Sequence, residues 1–236
     1  MRLKSFFISV GLIASFLVGP ISINSANSLQ IKVAPANWGH IYASGNTASI
    51  QSTPRPISAN LEKKSSFIIN FNNVPANVKI PIQAAVDVWS ENFSSTVPIN
   101  VNINWGRSTS YSVLASASAK KNFANFAGAP DKTLYYPSAL ANALSGKDLD
   151  PNAAEMEITI NSSAPWYYGI DGNCPARSFD LVSVILHEMA HGLGFISGTY
   201  YDEFSSFGRV DQPTPFDAYA QLPDGRRLAD MPSPSL

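Results

Sequence analysis

His187, Glu188 and His191 stand as H-E-x-x-H inside the run Leu181–Phe195. Two histidines four residues apart lie one turn above each other on a helix, so both imidazoles can reach a single ion. The same geometry aims Glu188 at the space beside them. Neutral imidazole is a good zinc ligand, and a catalytic zinc keeps one position for a water whose pKa it lowers towards neutrality. A neighbouring carboxylate can take that proton and later hand it to a leaving amine. These residue types at this spacing therefore predict Zn2+ held by His187 and His191, Glu188 as general base, and metal-assisted amide hydrolysis.

A helix must hold these groups. At about 100° per residue, Val182, Ile185, Leu186, Met189 and Leu193 collect on one side and the H-E-x-x-H residues on the other. Ser178 or Asp180 can cap its start, and Gly192 or Gly194 can take the left-handed conformation that ends it. A sharp turn after His191 could return a third ligand, as in the extended metzincin pattern H-E-x-x-H-x-x-G-x-x-H. Gly194 fills the glycine position, but the last position is Ser197. The third histidine of the chain, His40, lies far upstream and lacks ligand spacing; an exposed or locally packed role is expected for it.

The preceding elements follow from local patterns. Ser66–Asn72 reads as a strand, and Ile80–Asn92 as an amphipathic helix with Pro81 in its first turn. Pro98–Trp105 alternates apolar residues with asparagines, the pattern of a half-buried strand. Val113–Ser118 reads as a further strand and Pro137–Leu144 as a short helix stopped by Gly146. Met156, Ile158 and Ile160 alternate with polar residues in a strand that, at a sheet edge above the metal, could accept an extended substrate by strand addition.

Other candidate ligands are weaker. Lys147–Asn152 spaces oxygen-bearing side chains as a calcium loop does but lacks the glycine and distal glutamate of an EF-hand; it is read as a polar turn, with calcium kept as a possibility. Asp202, Glu203, Asp211 and Asp217 follow the zinc helix, and spacing selects none of them. Cys174 could cap the zinc in principle; a free, unactivated thiol is the favoured reading, and a lone cysteine forms no internal disulfide. Trp166, Tyr167 and Tyr168 read as packing around the zinc helix.

Of 236 residues, 14% are charged and 45% hydrophobic, with a formal net charge of −1. That balance shows no nucleic-acid footprint. Arg2 and Lys4 followed by the apolar run Phe6–Val18 and the small residues near Ala26 read as a secretory signal peptide, residues 1–26. A linker or propeptide-like segment, 27–65, and a zinc domain, 66–236, complete the expected organisation. The mature chain is expected to be a secreted or periplasmic monomer with no membrane segment.

The helix from Leu181 to Phe195 also resembles that of a group of secreted bacterial zinc metalloproteases, F-V-S-V-x-L-H-E-x-x-H-G-L-G-F. The resemblance extends through Tyr136–Leu144, Asp148–Pro151, Trp166–Asn173, Pro215–Asp217 and Asp230–Ser235. It implies a metzincin-like zincin: an α+β domain with a twisted mixed sheet, a backing helix and an active-site helix, acting on protein or peptide substrates. Members of that group continue into a further histidine segment and a Met-turn, so the resemblance implies a chain truncated at its C-terminus. The function expected is a secreted zinc endopeptidase. The alternative is a non-catalytic exported paralogue or binding module that keeps the zinc helix without a complete metal site.

Overall fold

The computed structural model describes residues 30–36, 38–42, 62–108, 112–202, 207–227 and 230. The expected signal peptide lies outside the described residues, as do Glu203 and the whole segment from 43 to 61. In chain order the elements are β1 (Lys32–Ala34), β2 (Trp38–Tyr42), β3 (Phe67–Asn72), α1 (Ala76–Asn92), β4 (Ile99–Gly106) and β5 (Val113–Ala119). There follow β6 (Asn122–Ala124), β7 (Tyr136–Pro137), α2 (Ser138–Ser145), β8 (Met156–Asn161), β9 (Trp166–Tyr167) and β10 (Phe179–Asp180). The last are α3 (Leu181–Leu193), β11 (Thr199–Asp202), β12 (Phe207–Val210) and α4 (Pro215–Tyr219).

The main sheet has five strands in the order β2-β5-β8-β4-β3. Strands β3, β4 and β8 run parallel, β5 is antiparallel to β8, and β2 is antiparallel to β5. Alternation decides the two faces. Ile99, Val101 and Ile103 of β4 and Met156, Ile158 and Ile160 of β8 are buried in one core with Ile82 and Val86 of α1 and Val184, Ile185 and Met189 of α3. The opposite face carries an amide row: Asn70 Nδ2 donates to Asn102 Oδ1 at 3.2 Å, Asn72 Nδ2 to Asn104 Oδ1 at 2.8 Å, and Asn104 Nδ2 to Glu157 Oε1 at 2.9 Å. The asparagines that alternate along β4 thus satisfy one another across strands.

Three expectations meet a different arrangement. The strand that could accept a substrate if it lay at a sheet edge, β8, lies between β4 and β5 in the sheet interior, so that condition is not met. Its period-two pattern reports one buried and one polar face and carries no information on how many neighbours flank it. Helix α1 begins at Ala76, before the expected start, because Val78 is 1% exposed and its burial draws another turn into the helix; Pro81 consequently sits inside α1. Strands β1 and β2 fall in the stretch expected to be a linker, where they pair with β6 and β5. They are too short for their alternation to stand out in the sequence.

Candidate metal site on helix α3

Helix α3 starts where Asp180 accepts from the Ser183 amide at 3.2 Å and the Ser183 hydroxyl at 2.5 Å, a side-chain cap on an otherwise orphaned N-terminus. It ends at Gly194, whose φ of 128° disfavours any residue with a β-carbon. Between these ends the helix lies close on the sheet. A β-carbon on Gly192 would stand 2.7 Å from Met156 Sδ, and Ala115 and Ala117 of β5, both buried, offer small side chains beneath the helix. On its other flank Trp89 Nε1 of α1 donates to the Leu186 carbonyl at 3.1 Å, one residue before His187.

This frame brings His187 and His191 together. Their Nε2 atoms are 3.0 Å apart and the rings stand at 90°. His191 Nδ1 lies 2.8 Å from the Phe195 carbonyl, which can only accept. His191 therefore carries its proton on Nδ1 and turns a bare Nε2 towards His187. For His187, exposed at its edge, partial desolvation of the ring first and the neighbouring His191 second hold the pKa below its usual value.

Glu188 lies on the inner flank of the pair. It is 0% exposed, and neither carboxylate oxygen has a hydrogen-bond partner. Burial pushes its pKa up to about 8, and the nearby Ile41 amide pulls against that rise without completing a hydrogen bond. Buried polar groups are normally paired, so an orphaned carboxylate beside two converging imidazoles is an unusual feature.

A zinc ion fits the pair in part. Zn–N bonds of about 2.0–2.1 Å at a tetrahedral angle place two nitrogens ~3.3 Å apart, close to the separation of the two Nε2 atoms. Among the described residues, however, no group of three or more histidine, cysteine, aspartate or glutamate side chains could hold a metal ion.

The other candidate ligands are placed elsewhere or already engaged. Ser197 Oγ donates to Asp217 Oδ1 at 2.5 Å. Asp217, fully buried, also accepts from the Gly198 and Thr214 amides, each at 2.8 Å, and so fastens α4 to the loop leaving α3. Asp211 pairs with Arg209 at the surface. Asp202 lies on β11. The Cys174 thiol is buried against the Ser178 carbonyl at 3.5 Å. In the turn considered for calcium, Asp148 Oδ1 accepts from the Asp150 amide at 2.9 Å and Asp150 pairs with Lys121.

His40 lies on β2 with its ring 6.0 Å from that of Tyr42, on the face opposite Gly39 and Ile41. Those two neighbours, unremarked in the sequence, are the ones that reach the site. Gly39 is buried, and a β-carbon there would stand 2.2 Å from His191 Cδ2. The only sequence signal was a glycine flanked by Trp38 and His40.

Against known proteins, the family model described as SPBPB7E8-like matches residues 43–214, and the chain belongs to that family. An uncharacterized protein of the fission yeast Schizosaccharomyces pombe is 41% identical over 68 residues, 28% of this chain and 12% of the yeast protein. The chain thus matches a small part of that relative's length. No solved structure matches. These findings correct the expected membership of a secreted bacterial zinc metalloprotease group: they point to a eukaryotic family. They equally overturn the expected function of secreted zinc endopeptidase, and with it the protease assignment, because nothing in the family or its yeast relative indicates peptide-bond hydrolysis and the described residues assemble no complete metal site. The physical reason is that H-E-x-x-H specifies two ligands and a nearby carboxylate on one helix; the third ligand and the substrate cleft depend on distant chain.

Proposed function

We propose that this member of the SPBPB7E8-like family is a zinc-binding protein whose His187 and His191 would hold the ion, with the buried Glu188 next to His187 on the same helix. The observation that carries the reading is the approach of the two Nε2 atoms to 3.0 Å, with the His191 proton committed to the Phe195 carbonyl. The bare His191 Nε2 can be met either by a proton on His187 Nε2 or by an ion held between the two rings, and a carbonyl partner on the far nitrogen is the usual support of a ligating histidine. Bound zinc would supply Lewis acidity and acidify a water. The residues of this chain do the rest: the Phe195 carbonyl fixes the His191 tautomer, desolvation of the ring and the neighbouring His191 hold the His187 pKa low, and Glu188 supplies a buried carboxylate with no other hydrogen-bond partner.

The test is zinc affinity of the full chain, measured by competition with a chromophoric chelator. His187→Ala and His191→Ala should each weaken binding by at least the ~100-fold that loss of an outer partner alone can cost. Glu188→Gln should bind zinc as the parent does. A folded parent protein that takes up no zinc, or whose zinc affinity survives both histidine substitutions, overturns the reading.

A further inference from the structure

Glu188 has no access to solvent, and the element that passes beside it is β2. This strand forms the outer edge of the main sheet, paired antiparallel to β5 from Trp38↔Ser118 to Tyr42↔Val113 with a bulge between Ile41 and Tyr42. It packs on α3 as well as on β5. Its inward residues are Gly39, pressed against the His191 ring, and Ile41, whose amide approaches Glu188. The strand therefore closes one side of the candidate metal site.

β2 is held less firmly than the strand it covers. Its outward residues Trp38 and Tyr42 are 47% and 58% exposed, Gly39 has no side chain to bury, and Ile41 is half-buried. In β5, by contrast, Leu114, Ala115 and Ala117 are all buried in the core. Few buried apolar contacts mean a low free energy of local opening. The family-matched span, residues 43–214, also begins after β2 and includes β5 and the whole of α3. The matched core thus has β5 as its last strand, with a row of backbone donors and acceptors beside the histidines; such an edge accepts another extended backbone.

We propose that Trp38–Tyr42 is a displaceable strand that occupies, from within the same chain, a groove for an extended polypeptide segment along β5, and that exchange for such a segment opens the His187–Glu188–His191 site. The proposal takes its account of what is uncovered from the zinc reading above; the strand exchange itself stands on β2, β5 and Gly39. The groove also sets a preference. The residue opposite His191 has no room for a β-carbon, and the one two places on meets the apolar edge of the core, so the favoured segment carries glycine and then an aliphatic residue at alternate positions.

The experiment uses the full chain and a fluorescent peptide with the sequence of Trp38–Tyr42, beside a control peptide with valine at the glycine position. In Gly39→Val the chain's own strand cannot seat against His191, so amides of β5 should exchange with solvent at least roughly tenfold faster than in the parent. The glycine peptide should bind this variant at least roughly tenfold more tightly than it binds the parent, and should restore the β5 protection. The valine peptide should bind neither. Should Gly39→Val fail to fold, Ile41→Ser weakens the strand without crowding His191 and is measured the same way. Unchanged β5 protection in a folded variant overturns the proposal, as does equal binding of the two peptides. Zinc affinity is measured on the same samples: peptide exchange in protein that binds no zinc upholds the strand and overturns the metal reading, and zinc binding without exchange does the reverse.

Discussion

Trp89 of α1 donates its indole N–H to the carbonyl of Leu186, the residue before His187, at 3.1 Å. Helices α1 and α3 of the main core are therefore joined by a directed bond as well as by packing, and the bond lies at the turn of α3 that presents the first histidine. Trp89→Phe keeps most of the apolar contact and removes the donor. It should cost about 1 kcal/mol in unfolding free energy, measured by urea titration. A loss indistinguishable from zero would mean that the bond does not help to hold α3.

Gly192 sets how closely α3 approaches β8. With Met156 Sδ and Cε at 2.7 and 2.8 Å from the position of an added β-carbon, Gly192→Ala must displace the methionine or lift the helix. We expect a loss of about 1–3 kcal/mol. Combined with Met156→Ala, which removes Sδ and Cε and leaves only the Met156 β-carbon at 2.9 Å, the double variant should be more stable than the sum of the single losses by at least ~0.5 kcal/mol, because two of the three close contacts are gone. Strict additivity in the double-mutant cycle would show that the strain is taken up elsewhere.

Glu155 supplies the pH dependence. It is buried, accepting from the Asn100 amide at 2.6 Å, from Asn100 Nδ2 at 3.2 Å and from Asn142 Nδ2 at 3.0 Å. Burial outweighs these donors and raises its pKa above the ordinary 4.5. A carboxyl group whose folded pKa is raised binds its proton more tightly in the folded state. Its contribution is fully present below the unfolded value and is lost as pH rises through the folded value, at about 1.4 kcal/mol per unit of displacement. Unfolding titrations of the parent and Glu155→Gln across this window should diverge as pH rises, with the parent losing stability relative to the variant. Parallel curves would remove Glu155 as the source.

Asp217 anchors the loop that leaves α3. Asp217→Ala strips the acceptor from the buried Gly198 and Thr214 amides and from the Ser197 hydroxyl, while the Thr214 hydroxyl keeps the Ile196 carbonyl. The expected loss is on the order of 3 kcal/mol, with faster hydrogen exchange at Gly198 and Thr214. Loss of stability without added exchange at those two amides would place the damage outside this loop.

Local order fixes part of this molecule. The H-E-x-x-H spacing, the Asp180 cap and the terminal Gly194 define one helix, so the sequence alone determines that His187 and His191 stand one turn apart on it; that Glu188 turns into the core instead of sharing their exposed side was decided by packing. The alternation along β4 and β8 likewise determines which of their faces is apolar, because side-chain direction is a property of the strand itself.

Everything that depends on which segments meet was decided by the tertiary structure. Periodicity does not say that β8 is interior, that β2 is the edge strand, or that Gly39 rather than His40 faces the histidine pair. A single strand can pair on either side with comparable hydrogen bonds, and the choice is made by burial across the whole sheet. The same limit explains the corrected function. Two histidines and a carboxylate are written within five residues of one helix, whereas a complete metal site and its substrate groove are assembled from distant chain, and no local pattern can carry them.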